Sequence, residues 1–545
     1  MPSRRRHLAL ALLLAALALA GCGGSGSTAA HRGLLESMFQ DDQYTLYQPT
    51  TSAVVRTLDT LKALGVDVVR AQVLWANIAP DPMSATAPAG FDPTNPAAYP
   101  ASGWAPYDRL VTLARARGLS VQFDLTAPGP MWAMRKPAPA KASAAVYDPS
   151  VSDWRQFVTA VGRRYSGTYK PAGAAGGALP RVSDWSIWNE PNQPGWLAPQ
   201  RKKVAGQMVP ESPLLYREYA DAAYRALGAT GHAPSTDTIL VGETAPEGCL
   251  RRSAGCEYPT REEPIPPMQF VQALYCVNAD YQPLQGRVAS ALHCPESRGA
   301  FVSENPALFQ ATGFAHHPYS FLLAPNVRFG PSDVGFVSMA NLSTLEQGLD
   351  RIFSVYGVNR RLPIYLTEYG YETNPPNPYR GVSPQAQAAY LDEAEYMAWS
   401  NPRVRALSQF LLVDSAPDKA FPPGSGGYWS TFQTGLEFLN GKPKPSLDAY
   451  LLPVYLPDPT FGSGGSVTVW AMLRPAANGS RQRAEIQWSA SAGGSYRTLA
   501  TVTTDDISNV LTANVRPPGS GFVRISWTSS TGQVLLSRSV AVTRS

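Results

Sequence analysis

Residues 51–74 read TSAVVRTLDTLKALGVDVVRAQVL. In the first part of this stretch Val54, Val55, Leu58, Leu61 and Leu64 recur at helical spacing, which predicts an amphipathic helix over 51–64. A single glycine, Gly65, then separates that helix from a β-rich apolar run over 66–74. Helix, one-residue turn and strand form a unit, and the unit recurs along the chain. Strands are predicted at 34–40, 66–74, 119–125, 183–190, 238–243, 312–319, 362–369 and 405–413. Helices are predicted near 51–64, 105–117, 150–166, 212–228, 266–278, 341–356 and 384–399, with a short one near 445–451. Eight alternating units predict an α/β fold, a (β/α)8 TIM barrel over residues 33–458.

The connections are unequal. Helix-to-strand links are often short (Gly65, Gly118, 357–361), whereas strand-to-helix links are long (75–104, 126–149, 191–211, 244–265, 320–340, 414–444). Residues 167–182 and 279–311 break the pattern. The excess of chain therefore sits at the C-terminal ends of the strands, the face on which such barrels carry their sites. Beyond a glycine-rich break at 461–465 the period changes from helical to two, as in Val467-Thr468-Val469-Trp470 and Phe522-Val523-Arg524-Ile525-Ser526-Trp527. About six strands without a helix predict a small immunoglobulin-like β-sandwich at 459–545. Its tryptophans, Trp470, Trp488 and Trp527, are assigned to packing rather than to sugar binding.

Composition narrows the class. The chain has 545 residues, enough for two or three domains, with 44% hydrophobic and only 16% charged residues, which excludes a polyelectrolyte or a coiled coil. Its 50 prolines point to many stiff loops. Three arginines, Arg4, Arg5 and Arg6, precede an apolar run from Leu8 to Ala20, too short to span a bilayer as a mature helix. Leu19-Ala20-Gly21-Cys22 is similar to a bacterial lipobox. Residues 1–22 are expected to be a lipoprotein signal peptide, Cys22 the lipidated residue, 23–32 a flexible tether, and the protein extracytoplasmic, anchored to the membrane or secreted; ordinary cleavage with Cys22 incidental is the alternative. Removing those three arginines changes the balance from 46 − 41 = +5 to 43 − 41 = +2. No basic cluster interleaves with aromatics, so a nucleic-acid partner is not expected. Cys249, Cys256, Cys276 and Cys294 remain, and an even number in an exported chain predicts two disulfides, with short loops favouring 249–256 and 276–294. A zinc site is the competing use, but only His293 lies near, and neither metal nor cofactor is expected.

Two predicted strands end in glutamate. The fourth runs into Trp185-Ser186-Ile187-Trp188-Asn189-Glu190-Pro191-Asn192 and the seventh into Leu366-Thr367-Glu368-Tyr369-Gly370. A carboxylate at an apolar barrel mouth is costly unless partnered, and two that face each other suit glycoside hydrolysis, in which one protonates the leaving oxygen and the other attacks. Adjacent strand residues point to opposite faces, so Asn189 and Glu190 can share the mouth only if the strand ends or bulges there.

These motifs resemble the clan A retaining glycoside hydrolases, (β/α)8 enzymes, most closely family 39 and next family 5. The resemblance implies Glu190 as acid/base and Glu368 as nucleophile. It further implies that Asn189 binds a sugar hydroxyl, that Arg70 ends the second strand and holds the nucleophile ionised, and that His317-Pro318-Tyr319 matches the His-x-Tyr pattern of the sixth strand, with Tyr319 donating to Glu368. The chain departs from the clan at the eighth strand, where Phe410 or the loop residue Trp429 must replace the usual tryptophan, and at Phe123-Asp124-Leu125, where family 5 often has histidine. Glu372 is a rival nucleophile. Among the loop aromatics Trp104, Tyr371, Phe321, Trp75, Trp132, Trp196 and Trp429, sugar contact is expected of Trp75, Trp132 and Trp196. The implied function is double-displacement hydrolysis of an oligo- or polysaccharide by a monomeric enzyme. A transglycosidase using the same residues and a non-catalytic carbohydrate-binding lipoprotein are the alternatives.

Overall fold

The computed structural model describes residues 33–139, 142–173, 176–250, 256, 260 and 262–545. The predicted leader, Cys22 and the tether up to residue 32 lie outside the described residues.

The opening stretch folds as the helix Thr51–Ala63 and the strand Val68–Leu74. The Thr50 side chain caps the helix by accepting from the Ala53 N–H, satisfying one of the free donors of the first turn. Val54, Leu58 and Leu61 are buried and Val55 is half-buried, so the apolar stripe faces the sheet. Gly65 ends the unit at φ +82°, a left-handed value that a glycine adopts without steric cost.

Eight parallel strands close in sequence order into a barrel: Glu36–Gln40, Val68–Leu74, Ser120–Thr126, Asp184–Ile187, Thr238–Thr244, Gly313–His316, Ile364–Tyr369 and Val404–Phe410. The first strand closes on the last, with Glu36 opposite Ala406 and Gln40 opposite Phe410. Each predicted strand has its counterpart. The helices Ala101–Arg115, Val151–Arg164, Ser212–Ala229, Pro267–Leu274, Leu342–Val355, Pro384–Ser400 and Pro445–Leu451 complete the layer around it. The structure adds details that periodicity did not predict. A hairpin pairs Arg201–Val204 with Gln207–Pro210 in the loop after the fourth strand. The irregular stretch 279–311 folds into three short helices, Gly286–Ala291, Arg298–Glu304 and Pro306–Gln310. Disulfides join Cys249 to Cys256 and Cys276 to Cys294, the two short-loop pairings. No helix among the described residues is long and apolar enough to cross a membrane.

The C-terminal region is all β. A three-stranded sheet (Val454–Tyr455, Val467–Met472, Val510–Val515) faces a larger one built around Gly521–Thr528 and Gln482–Ser489. Their inner faces share a core of Val469, Leu473, Ile486, Val523 and Ile525. Trp470 is buried and packs edge-on to Tyr396 of the barrel, at 5.6 Å between ring centres. Arg474 forms an ion pair with Glu395 at 2.7 Å and donates to the Tyr450 carbonyl. The Leu35 N–H donates to Ser508 and Asn478 donates to Asp67. Leu35, Ser37, Gly65 and Asp67 stand at the N-terminal ends of strands one and two, so the sandwich docks on the face opposite the mouth.

Candidate active site

The fourth strand ends at Ile187, and the backbone then leaves β geometry. Trp188 has φ +66° and Glu190 φ +37°. Non-glycine residues adopt such values only where their surroundings hold them. Three bonds do so here: Trp188 N–H to the Leu125 carbonyl at 2.8 Å, Asn189 N–H to Thr126 Oγ1 at 2.9 Å, and Glu190 N–H to the Glu243 carbonyl at 2.9 Å. Trp188 points outward and stacks on Tyr219 at 4.8 Å. This break at the strand tip lets Asn189 and Glu190 both face the mouth. Glu368 lies one residue inside the end of the seventh strand and His317 directly follows the sixth. Arg70 does not end its strand as expected. It is the third of seven residues, and its long side chain reaches through the barrel interior to the site.

Arg70 is the hub. Its Nη1 donates to Glu368 Oε1 at 2.8 Å and to Gln40 Oε1, and its Nη2 donates to Asp124 Oδ2 (3.1 Å), Asn189 Oδ1 (3.0 Å) and Glu243 Oε2 (3.1 Å). With Asn189 Oδ1 engaged, the amide NH2 is the end left to donate. Tyr319 Oη donates to Glu368 Oε2 at 3.2 Å, so both oxygens of Glu368 are held. His317 bridges two carboxylates, with Nδ1 2.9 Å from Glu190 Oε1 and Nε2 2.6 Å from Glu243 Oε2. One oxygen of Glu190 lies within 4.8 Å of one of Glu368.

Charge follows from these contacts. Burial opposes the cation on His317, but the charge of Glu368 and the bonds to Glu190 and Glu243 outweigh it and raise the imidazole to about 10. Burial would also raise Glu243, yet Arg70 and His317 bring it down to about 2. Asp124 goes the other way: burial, with Glu243 and Glu368 nearby, raises it far above the carboxylate range despite Arg70. Burial likewise lifts Asp42, at the rim, to about 7, against the pull of Arg70.

The mouth opens into a cavity of about 420 Å³. Glu190, Glu368, Asn189 and Tyr319 line it, together with Gln40, Asp42, Gln72, Trp196, Pro246 and Phe321. Arg70, His317 and Glu243 are fully buried and stand behind this wall. Of the three aromatics expected at the sugar, only Trp196 lines the cavity. Trp75 is fully buried, stacked on Phe157 at 5.5 Å, because it opens a short helix that packs inward. Trp132 packs edge-on to Trp75 and donates to the Pro80 carbonyl. Trp104 and Tyr371 are also buried. Phe410 lines the cavity and Trp429 does not; the carbonyl of Trp429 accepts from Asn377 instead. Glu372 reaches the rim, bonded to Asn377 and away from the Arg70 hub. Sequence reasoning missed Glu243 at the tip of the fifth strand, although Val241-Gly242-Glu243-Thr244 carries the same strand-end glutamate signal as the other two.

No family model and no curated protein matches the chain. Among solved structures it is similar to a family 39 glycoside hydrolase from Bacteroides cellulosilyticus WH2 (12% identity, 89% of this chain and 82% of that one, TM-score 0.44). A GH39 enzyme from Xanthomonas axonopodis pv. citri aligns at 13% identity over 90% and 92% of the two chains, TM-score 0.44. An endo-beta-1,4-mannanase from Thermotoga petrophila aligns at 12% identity over 95% and 99%, TM-score 0.38.

Proposed function

We propose that the chain is a retaining glycoside hydrolase, with Glu190 as acid/base and Glu368 as nucleophile. The observation that carries this reading is the pair itself: one carboxylate just past the fourth strand and one at the end of the seventh, an oxygen of each within 4.8 Å of the other, in the wall of one cavity. Retaining enzymes hold their carboxyl groups about 5–5.5 Å apart, whereas inverting enzymes need about 6.5–9.5 Å to admit a water molecule between acid and base. In the first step Glu190 gives its proton to the glycosidic oxygen while Glu368 attacks the anomeric carbon; the leaving alcohol departs and a glycosyl ester forms. Glu190, now a carboxylate, takes a proton from water, which attacks the same carbon and frees Glu368. Arg70 and Tyr319 each donate to one oxygen of Glu368 and so fix the carboxyl group in place for the attack. Asn189, with its amide turned to the cavity, donates to a ring hydroxyl, and Trp196 and Phe410 offer apolar faces to the sugar. The substrate is an oligo- or polysaccharide.

The test is hydrolysis of a panel of aryl glycosides and glycans, with the anomer of the first product read by NMR. Retention supports the reading; inversion would replace it with a single-displacement mechanism. Glu190→Gln and Glu368→Gln should each lower kcat by at least about a thousandfold, the scale of a lost acid/base or nucleophile, while the melting temperature stays nearly unchanged. Azide should rescue Glu368→Ala with an inverted glycosyl azide; rescue at Glu372→Ala instead would reassign the nucleophile.

The two disulfides and the apolar leader support an extracytoplasmic location. Anchoring through Cys22 is tested by fatty-acid labelling, which Cys22→Ala should abolish.

A further inference from the structure

Glu243 is fully buried, does not line the cavity between the two glutamates, and yet is tied through Arg70 to Glu368 and through His317 to Glu190. A buried carboxylate is costly unless each lone pair is engaged, and here four donors converge on it. Ser186 donates to Oε1, while Arg70, His317 (2.6 Å) and Thr367 (2.7 Å) share Oε2. The backbone is shaped to bring it there. Gly242 has φ +111° and Glu243 φ +47°, at the point where the register between the fifth and sixth strands shifts. A Cβ on residue 242 would lie 2.7 Å from the Ala315 carbonyl oxygen, so the turn is closed to larger residues. The same turn presents the Glu243 carbonyl to the Glu190 N–H.

An ionised carboxylate only accepts, so Nε2 of His317 must carry a hydrogen. Nδ1 faces Glu190 Oε1 at 2.9 Å and Glu368 Oε2 at 3.7 Å, acceptors that call for a second one. We propose that Glu243 is a positioning residue for the acid/base step: by holding His317 as a donor at both ring nitrogens it fixes Glu190 through Oε1 and leaves Glu190 Oε2 to meet the glycosidic oxygen. This rests on the glycosidase reading. The charged and titratable groups around the imidazole are Glu190, Glu243 and Glu368 in contact, Arg70 and Asp124 beyond them, and His316 and Tyr319 on its own segment. His316 is fully buried between Thr244 and the Val337 carbonyl and held down to about 3, so it remains neutral. The positive charge beside Glu190 is therefore that of His317, and Glu243, at 2.6 Å, is the carboxylate in shortest contact with it.

A role in proton delivery shows in leaving-group dependence, because a poor leaving group needs the acid more. Glu243→Gln should lower kcat/KM for a nitrophenyl glycoside by about tenfold and for the alkyl glycoside of the same sugar by a further ten- to hundredfold, within the range of general acid catalysis. Equal losses on both would show a merely structural role and overturn the proposal. The second readout is 15N NMR of the full chain labelled at its six histidines, with His317 assigned by its disappearance in His317→Asn. Wild type should show both nitrogens protonated at pH 8, and Glu243→Gln a neutral ring. A neutral His317 in wild type would overturn the proposal and leave the glycosidase reading intact. Absence of turnover by wild type on every glycoside would remove that reading and the role together, whatever the NMR shows. If Glu243→Gln does not fold, His317→Asn, which leaves Glu243 paired with Arg70, must show the same selectivity for the poor leaving group.

Discussion

Two glutamates at opposite ends of the barrel show how partners decide what burial does to a charge. Glu243, beneath the mouth, has Arg70 and His317 against it and is held down to about 2. Glu36 opens the first strand at the far end, where burial and the nearby Asp184 and Asp67 raise it to about 7. The two act oppositely on stability. A lowered carboxylate stabilises the fold above its unfolded value of about 4.5, and that contribution is lost as the pH falls towards 2. A raised one binds its proton more tightly when folded. Its ionisation therefore destabilises the fold increasingly as the pH rises from about 4.5 to about 7, and by a constant amount above that. Glu36→Gln should accordingly stabilise the protein at pH 8 by about 1–3 kcal/mol and have little effect at pH 4. Thermal melts of both proteins at the two pH values check this; an equal difference at both would show that Glu36 is not held neutral.

At the scale of elements, the site depends on strands that stop being strands. The fourth ends in left-handed residues at Trp188 and Glu190, the fifth in Gly242 and Glu243. Gly242→Ala would drive its Cβ into the Ala315 carbonyl and the Phe314 ring, in a backbone region unfavourable to alanine. It should cost about 2–4 kcal/mol, since strain and overpacking combine there, and reduce kcat through the displaced Glu243. Denaturation and steady-state kinetics measure both; an unchanged kcat in folded protein would separate the turn from the chemistry. The same tips mark how far the sequence could be read. Hydrophobic period gave all eight barrel strands, because period reports which face is buried, and strand-end glutamates marked Glu190 and Glu368. The alternation of strand faces even signalled that the fourth strand must end or bulge if Asn189 and Glu190 share the mouth. Glu243 carried the same signal but no neighbouring motif. Trp75 and Trp196 look alike in sequence, since an aromatic on a loop can pack inward or line a cleft, and only the helix Trp75–Ile78 turns the first one in. Arg70 reaches the mouth by the length of its side chain from mid-strand, which no spacing rule records.

At the scale of the molecule, the two layers meet at the glycine that ends the opening stretch. Gly65 has φ +82°, and a Cβ there would stand 2.3 Å from the Arg474 carbonyl oxygen of the sandwich. That backbone cannot easily move, since Arg474 is anchored by Glu395, by the Tyr450 carbonyl and by the Tyr450 ring 4.1 Å away. Gly118 serves the same helix-to-strand turn one unit later, at φ +64°, with nothing within 4 Å of its Cβ position. The pair separates the cost of the turn from that of docking. Gly118→Ala should destabilise by about 1 kcal/mol, the backbone penalty alone. Gly65→Ala should add the displacement of the sandwich, about 2–3 kcal/mol more, and split one calorimetric transition into two as the sandwich unfolds before the barrel. Because the docking face lies opposite the mouth, kcat on any substrate the wild type accepts should be unchanged in both variants at temperatures where they are folded. Indistinguishable melts for the two variants would mean that the sandwich contributes nothing to the barrel through this contact. A fall in kcat confined to Gly65→Ala would instead mean that the docked face is coupled through the first two strands to Gln40 and Arg70, and so to Glu368.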